Sequence, residues 1–145
     1  MGTAKSGAGV TAVYKVPAAE LWQTVDFHQP SEAIMPPIAS SERVGEGLGA
    51  TKINTLHGGG DVHLLLTYYA PEDHAFNYTI QSSPLPVKNY VGEVRVRPLG
   101  DNRCELSWRG VYEPDGVSQA EADEILGGFY AAIAGKIGEI HSRET

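Results

Sequence analysis

Between residues 10 and 112 apolar and polar positions mostly alternate with a period of two, and a helical period takes over after residue 17 and again after residue 118. The clearest alternation lies at residues 90–98 and 104–112, either side of Gly100-Asp101-Asn102. Two such runs around a turn of this composition predict a β-hairpin. In the first run Tyr90, Gly92, Val94 and Val96 share one face, opposite Val91, Glu93, Arg95 and Arg97. In the second, Leu106, Trp108, Gly110 and Tyr112 oppose Glu105, Ser107, Arg109 and Val111. One face is apolar and aromatic and the other largely charged, as in one wall of a half-buried antiparallel sheet.

The same pattern predicts strands at 10–16, 38–44, 49–56, 62–69 and 75–81, each bounded by Gly, Pro or Asp about every ten residues, the spacing of an antiparallel meander. Pro17 opens a short helix over 17–26, where Leu21, Trp22 and Val25 recur at helical spacing. A second short helix is expected over 29–35, stopped by Pro36-Pro37. Ser118 and Glu121 form a capping box at the head of a helix over 118–142. Ile125, Phe129, Ile133, Ile137 and Ile140 make its apolar stripe, with Leu126 and Tyr130 beside it. Strands followed by one long amphipathic helix imply an α+β two-layer domain, a single unit over 1–145, with residues 1–9 expected to be flexible.

Composition narrows the function. A net charge of −7 lacks the clustered cations that a nucleic-acid surface needs. No apolar run approaches the roughly 20 residues of a membrane span, and the first residues lack the apolar core of a secretion signal, so a cytoplasmic location is expected. Gly2 and Ser6 fit a short myristoylation pattern that is too common to weigh. Cys104 is alone, which excludes an internal disulfide and a multi-cysteine metal cage, and reads as a buried apolar residue. No metal motif occurs, and Gly45-x-Gly47-x-Gly49 precedes a strand instead of a helix, so it offers no phosphate a helix N-terminus. Neither a metal nor another cofactor is expected.

The order of elements, together with Val13-Tyr14-Lys15-Val16-Pro17-Ala18-Ala19-Glu20-Leu21-Trp22, Gly45-Glu46-Gly47-Leu48-Gly49, Ser83-Pro84-Leu85-Pro86-Val87 and Trp108-Arg109-Gly110-Val111-Tyr112-Glu113-Pro114-Asp115-Gly116, resembles the START-like helix-grip superfamily (SRPBCC). Its members include polyketide cyclase/dehydrase and lipid-transport proteins and the birch-pollen-allergen family. The resemblance implies a helix-grip fold: a seven-stranded antiparallel sheet curled round the C-terminal helix, two short helices after the first strand, and a cavity between sheet and long helix. It also implies a cavity mouth guarded by loops 56–61 and 82–87. The wall would then carry Tyr78, Ile80, Tyr90 and Trp108 from the sheet, Ile125, Phe129, Tyr130 and Ile133 from the helix, and Leu85 and Pro86 from the loop. That superfamily hosts carriers, cyclases and receptors, so the fold alone selects none of them.

Asp61 and His63, two apart on one strand, point the same way. They serve either as a carboxylate-oriented general base for a cyclase or dehydratase, or as a solvated polar pair at the cavity mouth. With His63 inward, Leu64, Leu66 and Tyr68 make an unusually apolar outer face; either another subunit covers it in a homodimer, or a bulge reverses the parity and hides His63. Tyr78, Tyr90, Tyr112 and Tyr130 supply hydroxyls for an enolate or ligand oxygen, or are core aromatics with a wet tip. Gly127, Gly128, Gly135 and Gly138 within the helix leave room for a ligand, or allow close packing on the sheet. Arg95 and Arg109 pair with Glu93 and Glu105 across the hairpin, and His28, His74 and His141 are surface residues. The expected function is binding or transport of a lipid, polyketide or aromatic metabolite. The alternatives are the cyclase, and an adaptor that presents Leu85, Pro86 and Val87 to a protein partner.

Overall fold

The computed structural model describes residues 6–144. Seven antiparallel strands form one sheet in the order β1-β7-β6-β5-β4-β3-β2. They are β1 (Ser6–Tyr14), β2 (Ile38–Val44), β3 (Thr51–Leu56), β4 (Asp61–Ala70), β5 (Ala75–Ser82), β6 (Val87–Gly100) and β7 (Arg103–Pro114). Helix α1 (Ala18–Val25) and a 3-10 turn (Ser31–Ala33) connect β1 to β2, and α2 (Gln119–Ile140) closes the chain. A second 3-10 turn, Pro71–Asp73, joins β4 to β5. Among the described residues no helix is long and apolar enough to cross a membrane. The architecture is the expected helix-grip one.

Local chemistry explains the joins. Asp101 and Asn102 both take positive φ, 52° and 56°, which gives the β6–β7 hairpin a two-residue turn whose twist matches its strands. Ser118 caps α2 by accepting from the Glu121 backbone N–H at 3.1 Å. The chain's end is tied to β1: Tyr14 donates to the Ala134 carbonyl at 2.8 Å, and Glu144 N–H donates to Val13 at 2.7 Å. Arg103 adds a two-pronged ion pair to the Glu144 carboxylate, at 2.7 and 3.0 Å.

Several expectations are corrected. Residues 6–9 pair with β7 from Ser6↔Tyr112 to Gly9↔Arg109 and are not a loose end; the rest of the expected flexible segment, with Gly2, lies outside the described residues. The second short helix shrinks to the single turn Ser31–Ala33. On α2 the buried stripe is Ala122, Leu126, Tyr130, Ile133, Ala134 and Ile137, while Ile125 is 45% and Ile140 49% exposed. Two apolar stripes one residue apart competed, and the one carrying Tyr130 faces the sheet because Gly110 leaves space there for its hydroxyl. Gly127, Gly128 and Gly135 neither make room inside nor pack closely: a Cβ added at any of them would meet nothing within 4 Å.

Of the two alternatives for β4, the reversed parity holds, with a register shift between His63 and Leu64. Val62, Leu64 and Leu66 point inward, and Asp61, His63 and Leu65 line the outer face. The more apolar alternate set takes the buried face because burying His63 and Asp61 would strip their water without partners. A register shift between Leu66 and Tyr68 follows, leaving Tyr68 exposed beneath the Arg95 guanidinium, 5.5 Å from the ring centroid. The apolar outer face that suggested a homodimer is therefore absent from β4.

Candidate functional site

A cavity opens between the inner face of the sheet, the 27–35 segment and the N-terminal half of α2. Val62, Leu64, Ile80 and Trp108 form its floor, Ile34 and Met35 one side, and Leu126, Phe129 and Tyr130 its roof. Its volume is about 60 Å³, room for a few waters and well below the roughly 300–1,000 Å³ of a ligand pocket. A drug-sized ligand therefore needs side chains to move aside.

One end of the cavity is a phenol cluster built on missing side chains. A Cβ at Gly92 would lie 2.3 Å from the Tyr78 ring, and one at Gly110 would lie 2.3 Å from the Tyr130 hydroxyl and 2.6 Å from the Tyr90 ring. These glycines, on neighbouring strands, are the slots into which the tyrosines fit. Trp108 Nε1 donates to the Tyr78 hydroxyl at 3.0 Å, Tyr78 bonds Tyr90 at 3.0 Å, and Tyr90 bonds Tyr130. The three hydroxyls and the indole N–H thus form one linked cluster at this end of the cavity. Burial pushes all three hydroxyls above their ordinary pKa, so they are neutral donors at physiological pH. Tyr112 stacks on Tyr90 but sends its hydroxyl to Asp123, 2.7 Å away and outside the cavity.

The other end is polar. Lys52 and Asn54 stand on the inner face of β3, and Ser31 reaches in from the 3-10 turn; all three are buried and line the cavity. Lys52 Nζ donates to the Gln29 carbonyl at 2.7 Å and lies 4.7 Å from the centroid of the Phe27 ring. Burial, with Arg43 nearby, lowers its pKa to about 8 against the opposing pull of Asp26 and Glu32. Beside it Asp26 accepts from the Tyr69 hydroxyl at 3.0 Å and from His28 Nδ1 at 3.0 Å. Because His28 Nε2 accepts from the Gly47 backbone N–H at 2.9 Å, the ring proton belongs on Nδ1, facing Asp26. Tyr69, half-buried and bonded to that carboxylate, has its pKa pushed up to about 12.

Of the residues expected at the site, Tyr78, Ile80, Leu85, Tyr90, Trp108, Phe129 and Tyr130 line the cavity. Ile133 is fully buried in the core outside the cavity, Pro86 is half-buried in its loop, and Ile125 faces out. His63 and Asp61 are not in the cavity: Asp61 accepts from Thr55 Oγ1 at 2.9 Å, and His63 sits on the outer face against Ile53 and Ser82. That placement removes them as its base and orienting carboxylate. His28, His74 and His141 are not surface residues but half-buried, and Val87 is buried, so the adaptor surface is not presented in this conformation. Arg109 and Arg95 both approach Glu93 at 3.8 Å, and Arg97 takes Glu105 at 3.1 Å.

Sequence reasoning missed Lys52, Asn54 and Ser31. The signal was present in Thr51-Lys52-Ile53-Asn54-Thr55, where one alternate set is a lysine and an asparagine. Either set could face the cavity on alternation alone, and a charged set is normally assigned to solvent. The mouth lies where the two loops meet: Gly60 approaches Pro84, and Leu85 and Phe129 line both the cavity and the outer groove of Leu56, His57 and Pro84.

Residues 8–138 match the family described as polyketide cyclase / dehydrase and lipid transport. No curated protein matches the sequence. Among solved structures, the protein XoxI from Bacillus cereus superposes with a TM-score of 0.86 at 20% identity, over 93% of this chain and 94% of its own. The Zhui aromatase/cyclase from Streptomyces sp. R1128 gives 0.74 at 16% identity, over 96% and 98%. Norcoclaurine synthase from Thalictrum flavum, in complex with dopamine and hydroxybenzaldehyde, gives 0.73 at 17%, over 95% and 87%. At these identities the likeness is one of fold.

Proposed function

Because the chain belongs to the polyketide cyclase/dehydrase and lipid transport family, we propose that it binds an apolar or amphipathic small molecule between the sheet and α2, as a carrier. The observation that supports this most is a cavity whose wall is apolar in the middle and carries a phenol cluster at one end and a buried cation at the other. Such a lining, with few polar groups fixing orientation, suits a ligand site better than a packed core. The small volume means that entry is coupled to movement of Leu85 and Phe129, the side chains between cavity and groove. Two fold neighbours, an aromatase/cyclase and a synthase holding two aromatic compounds, are in keeping with an aromatic or polyketide ligand.

A second reading, cyclase-type catalysis, has one specific observation in its favour. A base can remove a proton next to a carbonyl only if a donor stabilises the enolate. Lys52, with its pKa near 8, and the phenol cluster supply these two roles in one cavity.

Native mass spectrometry of freshly purified protein, followed by solvent extraction, tests the binding reading. An adduct of a few hundred daltons is expected, or else a thermal shift with members of a panel of lipids and aromatic polyketides. Bare mass and no shift across the panel overturns it. Turnover of a bound polyketide that disappears in Lys52→Met, with affinity retained, selects the cyclase over the carrier.

A further inference from the structure

Lys52, Asn54 and Ser31 are only 5%, 3% and 3% exposed, yet they are poorly served by the protein around them. Strand β3 is inverted relative to an ordinary half-buried strand: its lysine and asparagine face inward while Ile53 looks out. Lys52 makes one hydrogen bond, to Gln29, and no ion pair among the described residues. The acids close enough to act on it are committed elsewhere. Asp26 holds Tyr69 and His28, and Glu32 accepts from Ser41. Asn54 Oδ1 and Ser31 Oγ have no hydrogen-bond partner within the protein. A buried ammonium with no direct ion-pair partner among the described residues and two unpaired polar atoms are each costly, and here they share one wall of one cavity.

We propose that the ligand is an amphipathic monoanion whose charged oxygen group seats on Lys52 Nζ, with Ser31 Oγ and the Asn54 amide beside it. This rests on the small-molecule reading above and names the ligand's class. The Ser31 hydroxyl can donate to the oxyanion, and the Asn54 amide accepts a neighbouring ligand hydroxyl or rotates to donate. The apolar body then runs across the sheet. Lys52 pairs with Leu64, Leu64 pairs with Ile80, and Tyr90 lies on the strand after that, next to the phenol cluster. Three strand spacings set a reach of at most about 14 Å, the length of a fused two- or three-ring acid or a medium-chain acyl acid. A neutral oxygen at the far end would meet the phenol cluster.

Calorimetry and thermal shift with matched probes, 2-naphthoate against 2-naphthamide and octanoate against octanamide, test the assignment on wild type, Lys52→Met and Lys52→Arg. The carboxylates are expected to bind wild type at least tenfold more tightly than their amides. Lys52→Met should lose that preference while still binding the amides, and Lys52→Arg should keep part of it. Equal binding of acid and amide to wild type, or a preference that survives in Lys52→Met, overturns the anion assignment and leaves the cavity reading standing. No response of wild type to any of the four probes overturns the assignment too, with water then bridging these polar atoms. The native-mass result decides the cavity reading separately. Circular dichroism of both variants confirms that a lost preference is not lost folding.

Discussion

At the scale of single residues, Lys52 and the tyrosines set opposite slopes of stability against pH. Lys52 in the folded protein has its pKa lowered from 10.5 to about 8, by burial first, then by Arg43, with Asp26 and Glu32 opposing. Its charged form therefore binds its proton less well folded than unfolded. The penalty is complete below pH 8 and is relieved as pH rises toward 10.5. Tyr78, Tyr90 and Tyr130 are raised above 10.0, so the stability they contribute is intact below that pH and falls above it. Urea titrations from pH 7 to 11 should show stability climbing through pH 8–10 and then dropping. Lys52→Met should flatten the climb and stabilise the protein near pH 7 by up to roughly 3 kcal/mol; an unchanged profile would remove Lys52 as its source. Gly110→Ala is expected to cost at least about 1–3 kcal/mol, since its Cβ would enter the space of Tyr130 and Tyr90.

At the scale of elements, α2 carries more freedom than its role requires. Gly135 is exposed mid-helix with open space where a Cβ would stand, so Gly135→Ala should raise stability by about 1 kcal/mol. Thermal denaturation checks it, and a loss instead would mean that the helix meets a neighbour at this point. The inward stripe of α2 was legible to within one residue. What tipped it from Ile125 to Leu126 and Tyr130 was the slot at Gly110, on a strand the helix reaches only after folding.

At the scale of the whole molecule, the mouth governs exchange. Leu85 comes from the β5–β6 loop and Phe129 from α2, and together they stand between the cavity and the groove. Phe129→Ala should speed uptake of an apolar anionic dye such as 1-anilinonaphthalene-8-sulfonate several-fold in stopped-flow fluorescence. Uptake at the wild-type rate would place the entrance elsewhere. Stability should fall only modestly, because Phe129 is half-buried and leaves the central core of Trp108, Tyr112 and Ile133 untouched.

The strand and helix sequence was determined by the chain itself: period-two runs, a Gly-Asp-Asn turn and the Ser118 cap act over a few residues, and each reappears in place. So was the tyrosine-lined face of the β6–β7 hairpin, because both strands alternate cleanly between apolar and charged sets. Only tertiary structure decided the faces of β3 and β4. In β4 both alternate sets hold leucine, and its register shift past Leu66 changes the phase. In β3 local chemistry alone would have sent Lys52 to solvent. Which face a strand buries depends on the neighbours it pairs with and on what the cavity holds, and those are contacts between residues far apart in the chain. For that reason His63 was legible as a candidate but misplaced, and Lys52 became visible only once Leu64, Phe27 and Gln29 had closed around it.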